Sequence, residues 1–539
     1  MTAKDLTLLN ETAATYNEIP YQSKPFTMSN PALLAGIGTL FGLDSVPLNQ
    51  ARVLELGCAS GGNLIPLAYF YPDIELVGVD LSEIQVKQGQ ELITQLGLES
   101  RVTLHHMSIT DIPESFGEFD YIICHGVYSW VPDFVQTGIF QVIQDHLSDK
   151  GFAYLSYNVY PGWKTLEIAR DSMLFHTRHI KDGGERLKHA RTMINFMAQN
   201  AHEGSIYKNI MSNAQDVIKG SPDYYIAHEF LEIHNSPAYF LDVVKKAEEH
   251  DLAYLSDCNL STVFPENWGS EVSKQLIDAS GNNQIVLEQY TDYVTNRQFR
   301  QSIFVKQKRQ KNINRQVNKE KITNSYFHVC IEKEVTPRQE TPNHTYYIFN
   351  RRPENFYRTD SKEAIRILDV MLNYSNQVFS YKEFVRAVNK AAGPKINEEN
   401  VYLLLQFLTI KGLIEPSSEK PALNQSASKI DAKPMLAEMN RTALNTRHYL
   451  VNAHLGILNV DNIAFIMAPY FDGQHSKEEL VDIMISLVEK DELFFDRKAD
   501  DGTLIERISD KAEIRKLSTN VIDDLCNLFY NAGMLVEQK

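Results

Sequence analysis

Between residues 51 and 160, short apolar runs alternate with amphipathic stretches, and this alternation limits the fold more than any other feature of the sequence. The apolar runs read RVLELG, IELVGVD, VTLHHM, FDYIICH and AYLSYN. Helical patterns follow the first two runs, as GGNLIPLAYFY and as SEIQVKQGQELITQLG, with Ser82 at the predicted N-cap of the second. Such alternation predicts βαβ units and an α/β fold with a doubly wound parallel sheet.

Composition excludes several classes of protein. The chain has 539 residues with 43% apolar content, which predicts several packed domains, and its net charge of −16 argues against a nucleic-acid partner. The five cysteines are far apart, without a CxxC pair or a histidine at ligand spacing, so neither a metal site nor a disulfide framework is predicted. The N-terminus has no apolar signal core and no run is long enough for a membrane span, so we expect a cytoplasmic location.

Changes in pattern divide the chain into five predicted parts. Residues 1–45 form an N-terminal cap segment with a helical beginning and a Pro-punctuated end, and residues 46–180 form the sheet domain. Long helical patterns predict a helical domain at 181–320. Two later segments, 321–415 and 435–539, each read as helix, short helix and a final helix that runs into Gly and a short strand, an order that predicts winged-helix-like modules. The polar stretch 416–434 is the predicted linker between them.

A Gly-rich turn, ELGCASGGN, joins the first strand of the sheet to the helix that follows. Gly57, Ala59 and Gly62 fit a G-x-A-x-x-G variant of the dinucleotide fingerprint, and Asp80 at the end of the next strand is placed to bind ribose hydroxyls. The turn alone is therefore compatible with any adenosine-containing ligand. Glu55 suits an α-ammonium better than a pyrophosphate, and a P-loop is excluded because no Gly-Lys-Ser/Thr follows.

Four stretches, VLELGCASGGN, VGVDLSEIQV, FDYIICHGVYSWVP and SYNVYPGW, resemble the class I S-adenosylmethionine-dependent methyltransferases. More narrowly they resemble the branch with a methyltransferase regulatory domain, which includes the rickettsial outer-membrane-protein lysine methyltransferases. YNEIPYQSKPF before the sheet, and AHEFLEIHNSPAYFLDVVKKAEEHDLAYLSD with RQFRQSIF after it, extend the resemblance over about residues 1–305. The resemblance implies S-adenosylmethionine as cofactor, bound by 46–180, with S-adenosylhomocysteine as product and a regulatory role for 181–320.

The resemblance also implies a set of cofactor contacts. The backbone of the glycine turn lines the methionine portion beside Glu55, Asp80 holds the ribose with Leu81 against the adenine, and the end of the fourth strand borders the sulfonium. Ser108 stands where the family usually has an Asp near the adenine amino group, a departure from its pattern. Tyrosines of the cap segment could bind the methionine carboxylate or simply pack. The full expected set is Tyr16, Tyr21, Glu55, Gly57, Cys58, Ala59, Gly61, Asn63, Asp80, Leu81, Ser108, Ile109, His125, Gly126 and Val127.

Methyl transfer to lysine requires a neutral amine, and neutralising a free lysine at pH 7 costs about 4 to 5 kcal/mol. An aromatic pocket beside a sulfonium lowers that cost. The sequence places aromatic and amide side chains at the ends of the fourth and fifth strands, although the aromatic rings could instead pack a helix on the sheet. The predicted acceptor residues are Tyr128, Trp130, Tyr157, Asn158 and Trp163.

The favoured function is methylation of lysines in an extended or unfolded protein, such as a bacterial surface or outer-membrane protein, and we also consider a homodimer. Methylation of nucleic-acid bases fits poorly. Amino-methyltransferases that act on bases carry an Asn-Pro-Pro-Tyr type of signature after the fourth strand, whereas here Val159 replaces the first proline and the motif follows the fifth strand. Alternatives are a methyltransferase for a small molecule or carrier-bound intermediate, and a non-catalytic methyl-donor sensor. His228 and Glu229 are adjacent on a predicted helix and are interpreted as structural.

Overall fold

The computed structural model of the chain describes residues 22–334, 341, 343–391, 393–422, 425–442, 447–498 and 504–538. Tyr16 and Tyr21, two of the expected cofactor contacts, lie outside these residues. Among the described helices, none is long and apolar enough to cross a membrane.

A seven-stranded sheet with the order β3-β2-β1-β4-β5-β7-β6 forms the centre of the molecule. Strands β1 to β5 pair in parallel, and β7 runs antiparallel to both of its neighbours. The predicted α/β doubly wound sheet is confirmed. Its strands are β1 Arg52–Leu56, β2 Glu75–Asp80, β3 Val102–His106, β4 Phe119–Cys124, β5 Leu147–Asn158, β6 Leu252–Asp257 and β7 Phe299–Lys306.

Helices cover both faces of the sheet because β1 and its neighbours send alternate apolar side chains to opposite sides. Val53 packs in one core cluster, with residues of α1, α2 and α3. Leu54 and Leu56 pack in another, with residues of α4 and α9. These helices are α1 Pro31–Leu40, α2 Leu64–Phe70, α3 Glu83–Gln95, α4 Asp133–His146 and, later in the chain, α9 Phe240–Glu248.

The segment predicted as a helical domain also supplies two strands of the central sheet. It contains α6 Gly183–Asn200, α7 Ile206–Gly220 and α8 Asp223–Phe230, and their apolar faces share one core with α5 Trp163–Thr177, which lies at the end of the segment predicted as the sheet domain. It then continues through α9 and β6 to α10 Ser270–Ser280, α11 Gln284–Thr295 and β7. Because all six residues of β6 are buried, that strand has no polar–apolar alternation, and the sequence pattern extended the preceding helix through it.

The C-terminal half contains two modules, of which the first is continuous with the sheet domain. In the first, β8, β12 and β13 form a three-stranded sheet and β9 to β11 form another. Helix α1 packs so closely on β13 that a Cβ on Gly36 would lie 2.6 Å from the Pro416 carbonyl carbon. Its elements are α12 Lys319–Thr323, β8 Tyr326–Val329, β9 Ile331–Lys333, β10 Thr345–Phe349, β11 Arg352–Thr359, α13 Lys362–Met371, β12 Gln377–Ser380, α14 Tyr381–Lys390, α15 Glu398–Ile410 and β13 Glu415–Ser417.

The second C-terminal module has a core of its own, built largely from its two long helices. The predicted linker is hydrogen bonded to the rest of the protein at both ends. The Ser418 amide donates to the Ala32 carbonyl of α1, and the Ala427 amide donates to the Leu535 carbonyl of the second module. The elements of this module are α16 Glu438–Thr442, β14 Tyr449–Val451, β15 Ile457–Asn459, α17 Asn462–Met467, α18 Lys477–Glu489, β16 Asp496–Lys498, β17 Leu504–Arg507 and α19 Lys511–Asn531.

Candidate active site

The glycine turn after β1 is fixed by its backbone hydrogen bonds. Gly57, Ala59 and Gly61 have φ angles of +78°, +48° and +71°, in the region that favours glycine. The amides of Gly57 and Cys58 both donate to the Val79 carbonyl, at 2.9 and 3.1 Å, which ties the turn to β2. Gly57 also has no room for a side chain, since a Cβ would lie 2.5 Å from the Val127 side chain.

Asp80, the last residue of β2, holds the turn from the other side. Its Oδ2 accepts from the Ala59 amide at 2.7 Å and its Oδ1 accepts from the Ser82 amide at 2.8 Å. Burial raises the pKa of the Asp80 carboxyl, while the two amides oppose that rise. The Gly62 amide in turn donates to Ser23 Oγ at 2.8 Å. With these amides already engaged, the turn is poorly suited to bind a pyrophosphate, which needs free N–H groups.

Glu55 is a buried carboxylate with one unpartnered oxygen. Its Oε1 accepts from Asn63 Nδ2 at 3.1 Å, whereas its Oε2 is buried without a hydrogen-bond partner. Burial, with a smaller contribution from the charge of Asp80, raises the pKa of Glu55 to about 8. Asn63 is itself held by the Ser29 hydroxyl, which donates to Asn63 Oδ1 and accepts from Asn63 Nδ2. An unpartnered carboxylate oxygen facing a cavity fits an ammonium group, such as that of the methionine portion of the cofactor.

His125 follows β4 and presents a neutral ring to the same cavity. Burial, together with the nearby charge of Lys24, lowers its pKa to about 3. Its Nδ1 is hydrogen bonded to the Tyr154 hydroxyl at 2.7 Å, and its ring stacks on Phe26 with 3.5 Å between ring centroids. A neutral imidazole does not repel a sulfonium, so the charge state of His125 is compatible with a cationic methyl donor.

The predicted site residues converge on one cavity at the carboxyl ends of the parallel strands, where ligands bind in open α/β sheets. Gly61 belongs to the turn but faces away from the cavity, toward Ile65 and Leu104. Ser108 caps the short 3₁₀ helix Ile109–Asp111 by accepting from the Thr110 amide. Those that line the cavity are Glu55, Gly57, Cys58, Ala59, Asn63, Asp80, Leu81, Ser108, Ile109, His125, Gly126, Val127 and Trp130.

Most of the predicted acceptor residues lie behind the cavity wall. Tyr128 and Tyr157 are buried in the core under α4 and α9, and the Tyr157 hydroxyl is hydrogen bonded to Ser302 at 2.8 Å. Trp163 packs edge to face on Trp130 with 6.2 Å between ring centroids. Asn158 is buried, and its Nδ2 has no hydrogen-bond partner. Trp130 is therefore the predicted acceptor residue that faces the cavity itself, with Trp163 behind it.

Among the residues outside the predicted set that also line the cavity are Lys24, Phe26, His228, Glu229 and Phe299. They come from the cap segment, from α8 and from the start of β7, three segments whose meeting point is not visible in a sequence pattern. The interpretation of His228 and Glu229 as structural did not anticipate that both residues line the cavity. Their one local signal was a pair of polar residues in an otherwise apolar stretch of helix, which periodicity alone does not assign to a cavity.

Three family models match the chain. A methyltransferase domain matches residues 53–151, a predicted methyltransferase regulatory domain matches residues 222–306, and the C-terminal winged helix domain of PKMT matches residues 432–534. An uncharacterized protein of Rickettsia prowazekii, RP789, is 34% identical over 532 residues, which cover 97% of this chain and 93% of that protein. The chain belongs to the S-adenosylmethionine-dependent methyltransferases that carry a regulatory domain.

A solved structure of a rickettsial relative extends the likeness to the whole methyltransferase. PKMT2 from Rickettsia typhi, in complex with AdoHcy (S-adenosylhomocysteine), is 26% identical with a TM-score of 0.83, over 96% of this chain and 100% of that chain. The likeness therefore covers the sheet, the helical segment and both C-terminal modules of the methyltransferase. The predicted family, the winged-helix fold of the C-terminal region, the enzyme class and the cofactor S-adenosylmethionine are confirmed.

Proposed function

We propose that this methyltransferase transfers methyl groups to lysine side chains of a protein substrate. The abbreviation PKMT stands for protein lysine methyltransferase. The observation that supports the proposal most strongly is the extent of the likeness to PKMT2, which includes the winged-helix module outside the catalytic sheet. A likeness confined to the sheet would be shared with methyltransferases of many acceptors.

The lining of the cavity supports a set of roles for the cofactor contacts. S-adenosylmethionine, when bound, supplies a methyl group on a positively charged sulfur. Asp80 is proposed to accept from the ribose hydroxyls, because its fixed oxygens keep free lone pairs. Glu55 is proposed to bind the α-ammonium of the methionine portion. Lys24, which follows Ser23 of the Ser23–Gly62 contact, is proposed to bind the carboxylate of that portion. Leu81 and Ile109 offer apolar surface for the adenine.

The acceptor side is apolar and aromatic, which suits the alkyl chain of a lysine. Trp130 lines the cavity with Trp163 packed behind it, and Phe26 and Phe299 contribute the opposite rings around His125. These side chains align the acceptor with the methyl group and exclude water, which is the main requirement for an in-line displacement with a neutral leaving group. They also disfavour an ammonium by desolvating it.

The proposed substrate is a lysine-bearing bacterial surface or outer-membrane protein in an extended or unfolded form, methylated in the cytoplasm. A homodimer is part of the proposal, because Phe196 in the last turns of α6 is 57% exposed and Ile206 at the start of α7 is 80% exposed. Light scattering of the purified protein tests this part. The variant Ile206→Asp should convert a dimer to monomer, and a monomeric wild-type protein would contradict the proposal.

The function is tested by incubating the protein with labelled S-adenosylmethionine and a denatured bacterial outer-membrane protein, followed by peptide mass spectrometry. We expect label on lysine, and loss of label in Asp80→Asn. Asp73→Asn, which changes an exposed carboxylate in the loop before β2, is the matched control and should keep full activity. Label on a small metabolite and none on lysine would reject the proposal in favour of a small-molecule acceptor.

A further inference from the structure

Glu229 lines the same cavity as Trp130 and is held there by its helix. Ile226 and Phe230 anchor α8 in the core that it shares with α5 and α6, while the Glu229 side chain lines the cavity. The chain that follows α8 is tied to the sheet, since the Ser236 amide donates to the Ser129 carbonyl at 2.7 Å. Ser129 adjoins Trp130, so Glu229 is fixed relative to the aromatic wall of the cavity.

The part of the chain that the structure describes gives Glu229 no counter-ion. Within the described residues, no hydrogen bond or ion pair to its carboxylate is found. Two arginines of the helices packed with α8 are engaged elsewhere: Arg170 donates to the Glu232 carbonyl, and Arg186 donates to the Leu231 carbonyl at 3.0 Å. His228 is paired with Glu232 at 2.9 Å. A carboxylate that is partly buried without a paired cation favours the binding of a positively charged ligand.

We propose that Glu229 binds the ε-ammonium of the acceptor lysine and accepts its proton before methyl transfer, an inference that rests on the proposed function. Glu55 is bonded to Asn63 of the glycine turn and is assigned to the cofactor ammonium. The two unpaired carboxylates therefore serve two different cations. Trp130 and Phe299 provide the apolar surface along which the lysine side chain reaches Glu229.

The step balances without a further reactant. The acceptor ammonium transfers one proton to the Glu229 carboxylate and becomes a neutral amine. The nitrogen lone pair then forms the N–C bond as the C–S bond breaks, and the electron pair of that bond stays on sulfur as a thioether. The product is a methylated ammonium, and Glu229 returns its proton to solvent. Burial raises the pKa of Glu229 to about 7, which suits a proton acceptor working near neutral pH.

Other titratable groups face Glu229 and bear on its pH dependence. Tyr225 and His228 are on its own helix, and the remaining groups lie on the packed helices or across the cavity. Glu55 also titrates near pH 8, so rates must be measured at saturating S-adenosylmethionine, where the protonation of Glu55 no longer limits cofactor binding. The full set is Tyr225, His228, Glu232, Arg170, Arg186, Lys24, His125, Glu55 and Asp80.

The test compares wild-type protein with Glu229→Gln on a lysine peptide between pH 6 and 9. In the wild type, kcat/KM should rise with pH, reach half of its plateau near pH 7 and level off above that pH, as Glu229 ionises. In Glu229→Gln that rise should disappear, kcat/KM at pH 7 should fall about 100-fold, and the deficit should shrink toward pH 9 as more free lysine becomes neutral. Both KM and kcat should change, because binding and proton transfer are both lost.

Controls separate this inference from a folding defect and from failure of the proposed function. S-adenosylhomocysteine should bind Glu229→Gln within twofold of wild type, and Asp216→Asn, an exposed carboxylate on α7, should leave the kinetics unchanged. If lysine is methylated and Glu229→Gln keeps the wild-type rate and pH profile, the role of Glu229 is rejected alone. Loss of S-adenosylhomocysteine binding in Glu229→Gln also rejects it. Methylation of a neutral oxygen or carbon acceptor by the wild type overturns both proposals.

Discussion

Glu55 lies under the glycine turn with one oxygen bonded to Asn63 and the other without a partner. Because burial raises its pKa to about 8, the free protein holds a proton there at pH 7. The cofactor ammonium should keep the carboxylate ionised, so binding should release that proton. We therefore expect S-adenosylhomocysteine to bind up to about tenfold more tightly for each unit of pH from 6 to about 8 and no more steeply above.

Calorimetry in buffers of different ionisation enthalpy checks this linkage directly, because the apparent binding enthalpy should change with the buffer at pH 7. Glu55→Gln should bind weakly and without that pH dependence. Asp73→Asn should behave like wild type. Equal affinities of the wild-type protein at pH 6 and pH 8 would contradict the role assigned to Glu55.

Lys24 lines the cavity and is the cation proposed to bind the methionine carboxylate. Burial lowers its pKa, and a carboxylate partner would offset that loss of hydration. We expect Lys24→Met to weaken S-adenosylhomocysteine binding by about tenfold or more, as for loss of a hydrogen bond to a charged group, while Lys24→Arg keeps most of it. Lys87→Met, at an exposed position on α3, is the control. Unchanged affinity in Lys24→Met would assign the carboxylate to another group.

At the scale of residues, more of the expected cofactor set than of the expected acceptor set lines the cavity. Asp80 and the turn are positioned by hydrogen bonds between neighbouring parallel strands, which follow from the βαβ order. Tyr157 depends instead on which face of β5 it occupies. The last eight residues of β5 are all buried, so no alternation distinguishes the face under α4 and α9 from the face toward the cavity.

Among the elements, β6 and α8 illustrate what a single sequence leaves undetermined. Both lie within one long apolar pattern that the periodicity assigned to helices. Strand β6 is defined by its pairing with β7, which lies further along the chain, outside that pattern. The same limitation hid Glu229, since a helix pattern gives the orientation of a side chain but not the surface it meets.

In the described part of the cap segment, Ser23 packs directly against Gly62 of the glycine turn. A Cβ on Gly62 would lie 2.4 Å from the Ser23 carbonyl carbon, and backbone atoms cannot move aside cheaply. Gly62→Ala should displace Ser23 and Lys24 at a cost of about 1 to 3 kcal/mol, so S-adenosylhomocysteine affinity should fall about tenfold or more while the far-ultraviolet circular dichroism stays the same. Gly220→Ala, where a Cβ meets open space, should bind normally. Normal binding by Gly62→Ala would show that the cap segment is not part of the cofactor site.

Across the whole molecule, the winged-helix module reaches the cofactor site through the cap segment. The Tyr449 hydroxyl donates to the Ser23 carbonyl at 2.6 Å, and Ser23 Oγ in turn accepts from the Gly62 amide. The module that the family model places at the C-terminus thus contacts the chain directly beside the turn, some 390 residues earlier in the sequence. Because of this contact, we expect the C-terminal module to influence cofactor binding without lining the cavity.

Removing the Tyr449 hydroxyl tests that coupling. A single hydrogen bond contributes about 1 kcal/mol, so Tyr449→Phe should weaken S-adenosylhomocysteine binding about fivefold, and its effect should be less than additive with that of Gly62→Ala, because both variants loosen the same contact. Tyr470→Phe, in the same module but outside this contact, should leave the affinity unchanged. Full additivity of Tyr449→Phe and Gly62→Ala, measured by calorimetry on the double variant, would mean that the winged-helix module acts on the cavity by a different route.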